Sequence, residues 1–372
     1  MDAHERFTEW SKAQGVEINA IAPHRFPGRG LGIVAKKGFK KGETLLKVPI
    51  SALRTINTVP TPISESIGSI TTHGLLAAEL CLDTSSDREP WNAVLPTMEF
   101  FLQSIPFMWD SKLQSHLPDV AKTLLSQQKT KMAVDWAAVS EAFPEVAYDD
   151  YVHRWLIVNT RTFYYLDPKI KKKPARDDCM ALNPFADYFN HAATGCGVSF
   201  SSQGYTVTAS QPIKAGSEIY ISYGTHSNDF LLTEYGFLMT SNKWDEIPLD
   251  AYILPLLSTK QKGRLEEDGF LGKYVLDKET VCYRTQVALR MVCLPLRRWE
   301  RFVEGMDDEE SDQEVVDECL VKVLREYRRD AAEKVKKIQG LKSGISSQRK
   351  TLSERWKQIG ALLDIHIDTI EF

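Results

Sequence analysis

Cysteine is scarce and scattered in this 372-residue chain: Cys81, Cys179, Cys196, Cys282, Cys293 and Cys319 form no C-x-x-C or C-x-C pair. That excludes cysteine-paired zinc sites and argues against a disulfide-stapled secreted domain. No apolar run approaches the roughly 20 residues that a membrane-spanning helix needs, and Met1–Gly15 is polar and mixed in charge. The expectation is therefore neither a signal peptide nor a membrane span, and a reducing compartment, cytoplasmic or nuclear. An excess of positive charge is also missing. Lys and Arg number 46 against 50 Asp and Glu, net −4, so no global field draws the chain to nucleic acid. No internal repeat is present. What remains, 43% hydrophobic and 26% charged residues, suits a globular protein of roughly two to three domains.

The pattern of apolar residues changes period along the chain. Phe7 and Trp10 sit three apart in a short amphipathic helix over 5–14, closed by Gly15. Leu31, Ile33, Val34 and Ala35 then read as a strand, 38–43 as a turn, and Leu45, Leu46 and Val48 as a second strand stopped by Pro49. Residues 73–165 read as helices over 75–82, 121–125, 134–143 and 151–165, punctuated by five prolines from Pro90 to Pro144. A basic run, Lys169-Ile-Lys-Lys-Lys-Pro, separates this block from returning strands; it reads as an exposed loop, with a nuclear-import patch or substrate-facing rim as alternatives. Tyr205, Val207 and Ala209 alternate, as do Ile219, Ile221 and Tyr223. Beyond 245 the chain is mostly helical, with a stripe from Val315 through Cys319 and Val323 to Tyr327. The preceding stretch, Glu304 to Glu318, holds nine acidic residues and no basic one, read as a solvated loop entering a helix N-terminus.

Three constellations could carry chemistry. Gly28-Arg29-Gly30-Leu31-Gly32 fails as a dinucleotide fingerprint, since a strand follows it where a helix should open. It is either a tight structural turn or a stretch of backbone stripped for close approach to a ligand. In Pro184-Phe-Ala-Asp-Tyr-Phe-Asn-His191, the residues Asp187, Asn190 and His191 stand at i, i+3 and i+4. On a helical turn they would share a polar face. They could hold a polar ligand, orient one another, or form a hydrogen-bond network without function. Metal ligation is weakest, because no further His, Asp or Glu cluster lies near. In Glu218-Ile-Tyr-Ile-Ser-Tyr-Gly224, Tyr223 ends a strand where its phenol could project into a cavity or simply pack; Glu234-Tyr-Gly-Phe237 follows.

Taken in this order, the glycine-rich turn and hairpin, helical insertion, Asn-His segment, returning strands, Tyr-Gly and Tyr-Gly-Phe resemble the SET-domain methyltransferases. More specifically, they resemble the branch containing the Rubisco large-subunit lysine methyltransferase, the actin-histidine methyltransferase and ribosomal-protein lysine methyltransferases. The resemblance covers about residues 5–240 well and thins to general architecture beyond 245. The resemblance implies an α+β fold: a SET β-fold with a threaded C-terminal segment over 1–240, interrupted by a helical insertion at about 73–160. A helical, all-α, substrate-binding-like domain would follow over 245–372. It also implies S-adenosylmethionine as cofactor and no metal. The Arg29-Gly30-Leu31 backbone would cradle its methionine moiety, with Arg161 beside it and Asn190 and His191 bracketing its amino-acid end and adenine. Tyr223 would stand at the methyl-transfer centre. Asp187 would lie beside the substrate channel, with Phe163, Tyr235 and Phe237 lining it.

Those residue types fit the chemistry. Methyl transfer from a sulfonium is an in-line displacement by a neutral amine, and a free lysine with a pKa near ~10.4 is almost wholly protonated at neutral pH. An aromatic channel lowers that pKa by desolvation, and alignment alone can contribute on the order of 7–11 kcal/mol. The implied function is a protein-lysine N-methyltransferase acting, as a monomer, on a protein other than a histone, with neither nucleic acid nor membrane as partner. Phe163 replaces the polar amide of the histidine-methylating relatives and favours lysine. Two alternatives stay open: a methyltransferase for another nucleophile (a protein histidine or a small molecule), and a catalytically silent SET-fold binding protein.

Overall fold

The computed structural model describes residues 2–27, 29–167, 175, 178–307, 310 and 312–371. Gly28, the 169–173 basic run and part of the 304–318 acidic stretch lie outside the described residues. By contact the chain groups into two compact units, Met1–Leu102 with Leu125–Thr225, and Gln103–Leu124 with His226–Phe372.

The first unit is built on strands β1 (Glu17–Ile18), β2 (Ile21–Phe26), β3 (Gly30–Ala35), β4 (Thr44–Pro49), β5 (Thr162–Tyr164), β6 (Met180–Leu182), β7 (Asn190–Ser201), β8 (Gly204–Thr208) and β9 (Glu218–Ile221). Seven of them form one sheet in the order β1-β4-β8-β7-β9-β3-β2, and β5 and β6 pair separately. Within the sheet the β7–β9 pair runs parallel, with Asn190 opposite Tyr220 and His191 opposite Ile221; the others are antiparallel. Ile219 and Ile221 alternate with less buried neighbours on β9, as a half-buried sheet requires of its period-2 positions, whereas β3 and β4 bury consecutive residues, Ile33-Val34-Ala35 and Leu45-Leu46.

Helix Ala3–Ala13 opens with a reciprocal cap between Asp2 and Glu5. It buries Phe7, which stacks on Trp10 and Trp91 at 5.7 and 6.2 Å. The patterns at 121–125 and 134–143 prove to be one 24-residue helix, Asp119–Ala142. Helices Thr72–Leu82 and Tyr148–Arg161 pack on each other through His73, whose ring lies 4.0 Å from that of Trp155. Burial pushes the His73 imidazole down to about 3, so it is neutral and donates from Nε2 to the Trp155 carbonyl at 2.8 Å. Trp155 in turn donates to buried Asp135 at 3.1 Å.

One helical expectation is corrected. The helix expected over 151–165 stops at Arg161, and Thr162–Tyr164 is β5. Thr162 and Phe163 take up ladder positions opposite Leu182 and Ala181, where β-branched and aromatic residues pack well. Phe163 thus sits on a strand.

The second unit is helical, with one addition that the sequence reading lacks: a two-stranded ribbon of β10 (Glu246–Pro248) and β11 (Val275–Asp277). Helices Gln313–Gly340 and Ser346–Glu371 dominate it. The stripe expected on the first holds in part: Val316, Leu320, Val323, Leu324 and Tyr327 are buried, whereas Val315 is exposed and Cys319 half-buried. In the acidic stretch, Asp307 pairs with Arg301 at 2.7 Å and Asp312 with Arg298, so these two carboxylates are matched to the helix Leu296–Val303. Arg355 is fully buried in this unit, 0% exposed, and reaches Asp229 at 2.7 Å and Asp245 at 2.6 Å. Asp245 also accepts the Asn228 backbone N–H at 2.9 Å.

Removing one partner of a buried ion cluster leaves uncompensated charge. Arg355→Met is expected to destabilise the protein by about 3–5 kcal/mol, read by denaturant unfolding. A loss below about 1 kcal/mol, the worth of an exposed ion pair, would show that the cluster is not structurally important.

Candidate active site

The Asn-His segment does not form the expected helical turn. Phe185 has φ 66°, Ala186–Tyr188 is a single 3-10 turn, and Asn190 and His191 already belong to β7. The correction has a physical cause. The parallel pairing with β9 claims the backbone of Asn190 and His191, which a helical turn would need for itself.

This geometry still draws the three constellations together. The Asn190 amide donates from Nδ2 to the Leu31 carbonyl at 3.1 Å, which joins the second motif to the first. The Tyr223 backbone N–H donates to His191 Nδ1 at 3.0 Å, which joins the second to the third. The Tyr223 hydroxyl donates to the Phe189 carbonyl at 2.7 Å, and its ring lies 5.0 Å from that of His191. Arg161, last residue of its helix, donates to the Asp187 carbonyl at 2.8 Å. Phe163 packs its ring 5.9 Å from that of Tyr205. Tyr235 and Phe237 fall in the second compact unit, flanking Gly236 at φ 79°, with their ring centroids 6.3 Å apart.

Burial sets the electrostatics. It pushes the Tyr223 phenol up to about 12, so the hydroxyl is neutral throughout the physiological range. It pushes the Asp187 carboxyl up to about 6, opposed by the Arg161 guanidinium nearby. Two residues that the sequence reading quoted but gave no role complete the cluster. Glu218, its side chain 3% exposed, pairs with Arg29 at 2.9 Å and accepts from Asn190 at 2.8 Å and from the Tyr220 hydroxyl at 2.6 Å. The available signal was parity: Glu218 and Tyr220 occupy the strand face opposite to the buried Ile219 and Ile221.

Several groups here lack hydrogen-bond partners within the chain. They are Arg161 Nε, Asp187 Oδ1 and both polar atoms of the Asn183 amide, all buried. At Gly30, φ 74°, a Cβ would meet nothing within 4 Å, so backbone is open to close approach there. At Gly32 a Cβ would come within 2.7 Å of both Asn190 and Glu218. Open backbone beside buried donors and acceptors suits a ligand carrying both an ammonium and a carboxylate, such as the amino-acid end of S-adenosylmethionine.

Residues 30–224, more than half of the chain, match the SET domain model, and residues 245–369 match that of the ribosomal lysine N-methyltransferase 2 C-terminal domain. The chain belongs to the SET-domain family of methyltransferases. Among its relatives, the ribosomal lysine N-methyltransferase set11 of Schizosaccharomyces pombe is 27% identical over 356 residues, covering 91% of each chain. Ribosomal lysine N-methyltransferase 2 of Saccharomyces cerevisiae is 26% identical over 71% of this SET-domain chain and 65% of its own length. SET domain-containing protein 4 of Mus musculus is 24% identical over 93% and 85%. Among solved structures, Rubisco LSMT bound to sinefungin and monomethyllysine superposes with a TM-score of 0.67 at 16% identity, over 100% of this chain and 92% of that one. The LSMT SET domain bound to lysine and AdoHcy gives 0.65 at 16% identity, over 99% and 91%. These likenesses establish the fold: a SET sheet with helices and a helical C-terminal part.

The raised Asp187 value has a pH consequence. A carboxyl that holds its proton more tightly folded, at about 6 against 3.8, contributes stability that is complete below the lower value and lost as pH rises through the upper one. Wild type should lose stability relative to Asp187→Asn between about pH 4 and pH 7, by on the order of 3 kcal/mol at most. Urea unfolding at stepped pH checks this; parallel curves for the two proteins would remove Asp187 from the role.

Proposed function

We propose that this protein is an S-adenosylmethionine-dependent lysine N-methyltransferase acting on a protein other than a histone, with a ribosomal protein the first substrate to test. The observation that carries the reading is the hydrogen-bonded union of three motifs, the first of its links spanning 159 residues. The relatives named as ribosomal lysine methyltransferases support the substrate class. In this reading residues 1–240 form the SET domain, interrupted at about 73–160, and 245–372 recognise the substrate. Family domains are units of sequence and need not coincide with compact units. The enzyme works as a soluble monomer in the cytoplasm or nucleus.

When bound, S-adenosylmethionine supplies an electrophilic methyl carbon on a sulfonium. The Arg29-Gly30-Leu31 backbone and Arg161 hold the amino-acid end, and Asn190 and His191 bracket it and the adenine. Tyr223, a neutral phenol at physiological pH, orients the amine through its hydroxyl without competing as a nucleophile. Asp187 is a carboxylate above about pH 6 and attracts the lysine ammonium as it arrives. Phe163, with Tyr235 and Phe237 by family resemblance, supplies apolar surface that strips water from the amine and lowers its pKa. An apolar ring at 163 leaves an imidazole without a hydrogen-bonding partner there, which favours lysine.

Incubating the protein with labelled S-adenosylmethionine and an extract from cells lacking the gene should label one or a few proteins on lysine. Tyr223→Phe should reduce transfer by about 100-fold, the scale of losing one oriented polar group at a reacting centre, while cofactor binding stays nearly intact. Absence of any labelled protein, together with no thermal shift on adding S-adenosylhomocysteine, would sink the enzyme reading. Unchanged turnover in Tyr223→Phe would free that residue of its role.

A further inference from the structure

We propose that Glu218 is a positioning residue whose carboxylate turns the Asn190 amide so that its carbonyl oxygen faces the ammonium group of the cofactor's amino-acid end. The inference rests on the cofactor reading above and goes beyond it, because it assigns a residue outside the ligand-touching set and fixes the polarity of one inside it.

An asparagine amide has two faces, one donating and one accepting. At Asn190 the neighbours decide which way it lies. The Leu31 carbonyl, 3.1 Å from Nδ2, can only accept. Glu218 Oε1, 2.8 Å from Nδ2, is held as an acceptor by Arg29 at 2.9 Å and the Tyr220 hydroxyl at 2.6 Å on its other oxygen. Rotating the amide by half a turn would set its oxygen against two acceptors. Both N–H bonds are therefore spent inside the fold, and the group that Asn190 can offer a ligand is Oδ1.

An acceptor in that place selects a donor, and within the cofactor's amino-acid end the ammonium is the donor. Backbone geometry leaves the arrangement little freedom. The parallel pairing sets Asn190 opposite Tyr220, two residues from Glu218 on the same strand face. Gly32 lies so close that even a methyl group would come within 2.7 Å of both the amide nitrogen and the carboxylate oxygen.

The test is calorimetric titration of S-adenosylhomocysteine, and of its analogue lacking the amino group, into wild type, Glu218→Met and Glu218→Gln, with melting curves for each. Methionine keeps the bulk but accepts nothing. Its affinity for S-adenosylhomocysteine should fall about tenfold, the scale of one hydrogen bond to a charged group, while the deaminated analogue binds all three proteins within about twofold. Glutamine can accept or donate and should fall between; it carries the same contrast if the methionine variant does not fold. Equal losses for both ligands would assign Glu218 a merely structural role, and an unchanged affinity for S-adenosylhomocysteine would leave it no role. A wild-type protein that binds neither ligand overturns the cofactor reading itself, and this inference with it.

Discussion

The site depends on one strand pairing. In a sheet whose other ladders are antiparallel, β7 and β9 run side by side in the same direction. A parallel pair cannot be closed by a tight turn and needs a crossover between its members. Here the chain supplies it through β8 and the 209–217 segment, and so returns to β7 from the side that carries β3. Three segments distant in sequence meet along that seam: the glycine-flanked start of β3, the Asn-His start of β7 and the acidic start of β9. An antiparallel partner would have matched Asn190 to a different residue and moved Glu218 out of its reach.

The buried polar groups are organised around this seam in a graded way. Glu218 is satisfied three times over, by a guanidinium, an amide and a phenol. Arg161 and Asp187 each keep a buried atom without a partner within the chain, and the Asn183 amide keeps two. Buried polar atoms left without partners cost about 1–3 kcal/mol each, so the fold gives up stability at these residues. In the Arg355 cluster of the second unit both carboxylates meet the guanidinium at 2.6–2.7 Å, with Asp229 Oδ2 and Arg355 Nη2 left over as buried atoms.

Much of this was legible in the sequence. Period-2 apolar residues located β8 and β9, short apolar runs bounded by turn residues located β3 and β4, and the 3.6-residue stripe located the helix carrying Val316 to Tyr327. The motif spacing located the residues that meet at the seam. The misses have physical reasons. β7 is poor in alternating apolar residues, because Ala, Gly and Thr fill Asn190–Ser201 and much of it is exposed, so its period could not be read. The i, i+4 spacing of Asp187 and His191 imitates a helix that the ladder with β9 forbids. Phe163 was placed on a helix because aromatic residues run on past Arg161 without a break. Glu218 was passed over since a single acid on a strand looks like solvent exposure until its neighbours are known.

The way the chain shuttles between its compact units bears on how it is made. Gln103–Leu124 packs with the second unit, whose remainder begins at His226, 102 positions after Leu124. Its anchoring is explicit: the Trp356 indole donates to the His116 carbonyl at 2.8 Å, across 240 residues. During synthesis this segment emerges long before the helix that receives it. The first unit can gather its sheet by residue 225 with Gln103–Leu124 held out as an unmatched excursion carrying Leu113 and Leu117, both 0% exposed in the finished fold. Closure of the second unit therefore waits for the last helix, Ser346–Glu371. Any event that shortens the C-terminus uncovers an apolar stretch encoded near the first third of the chain.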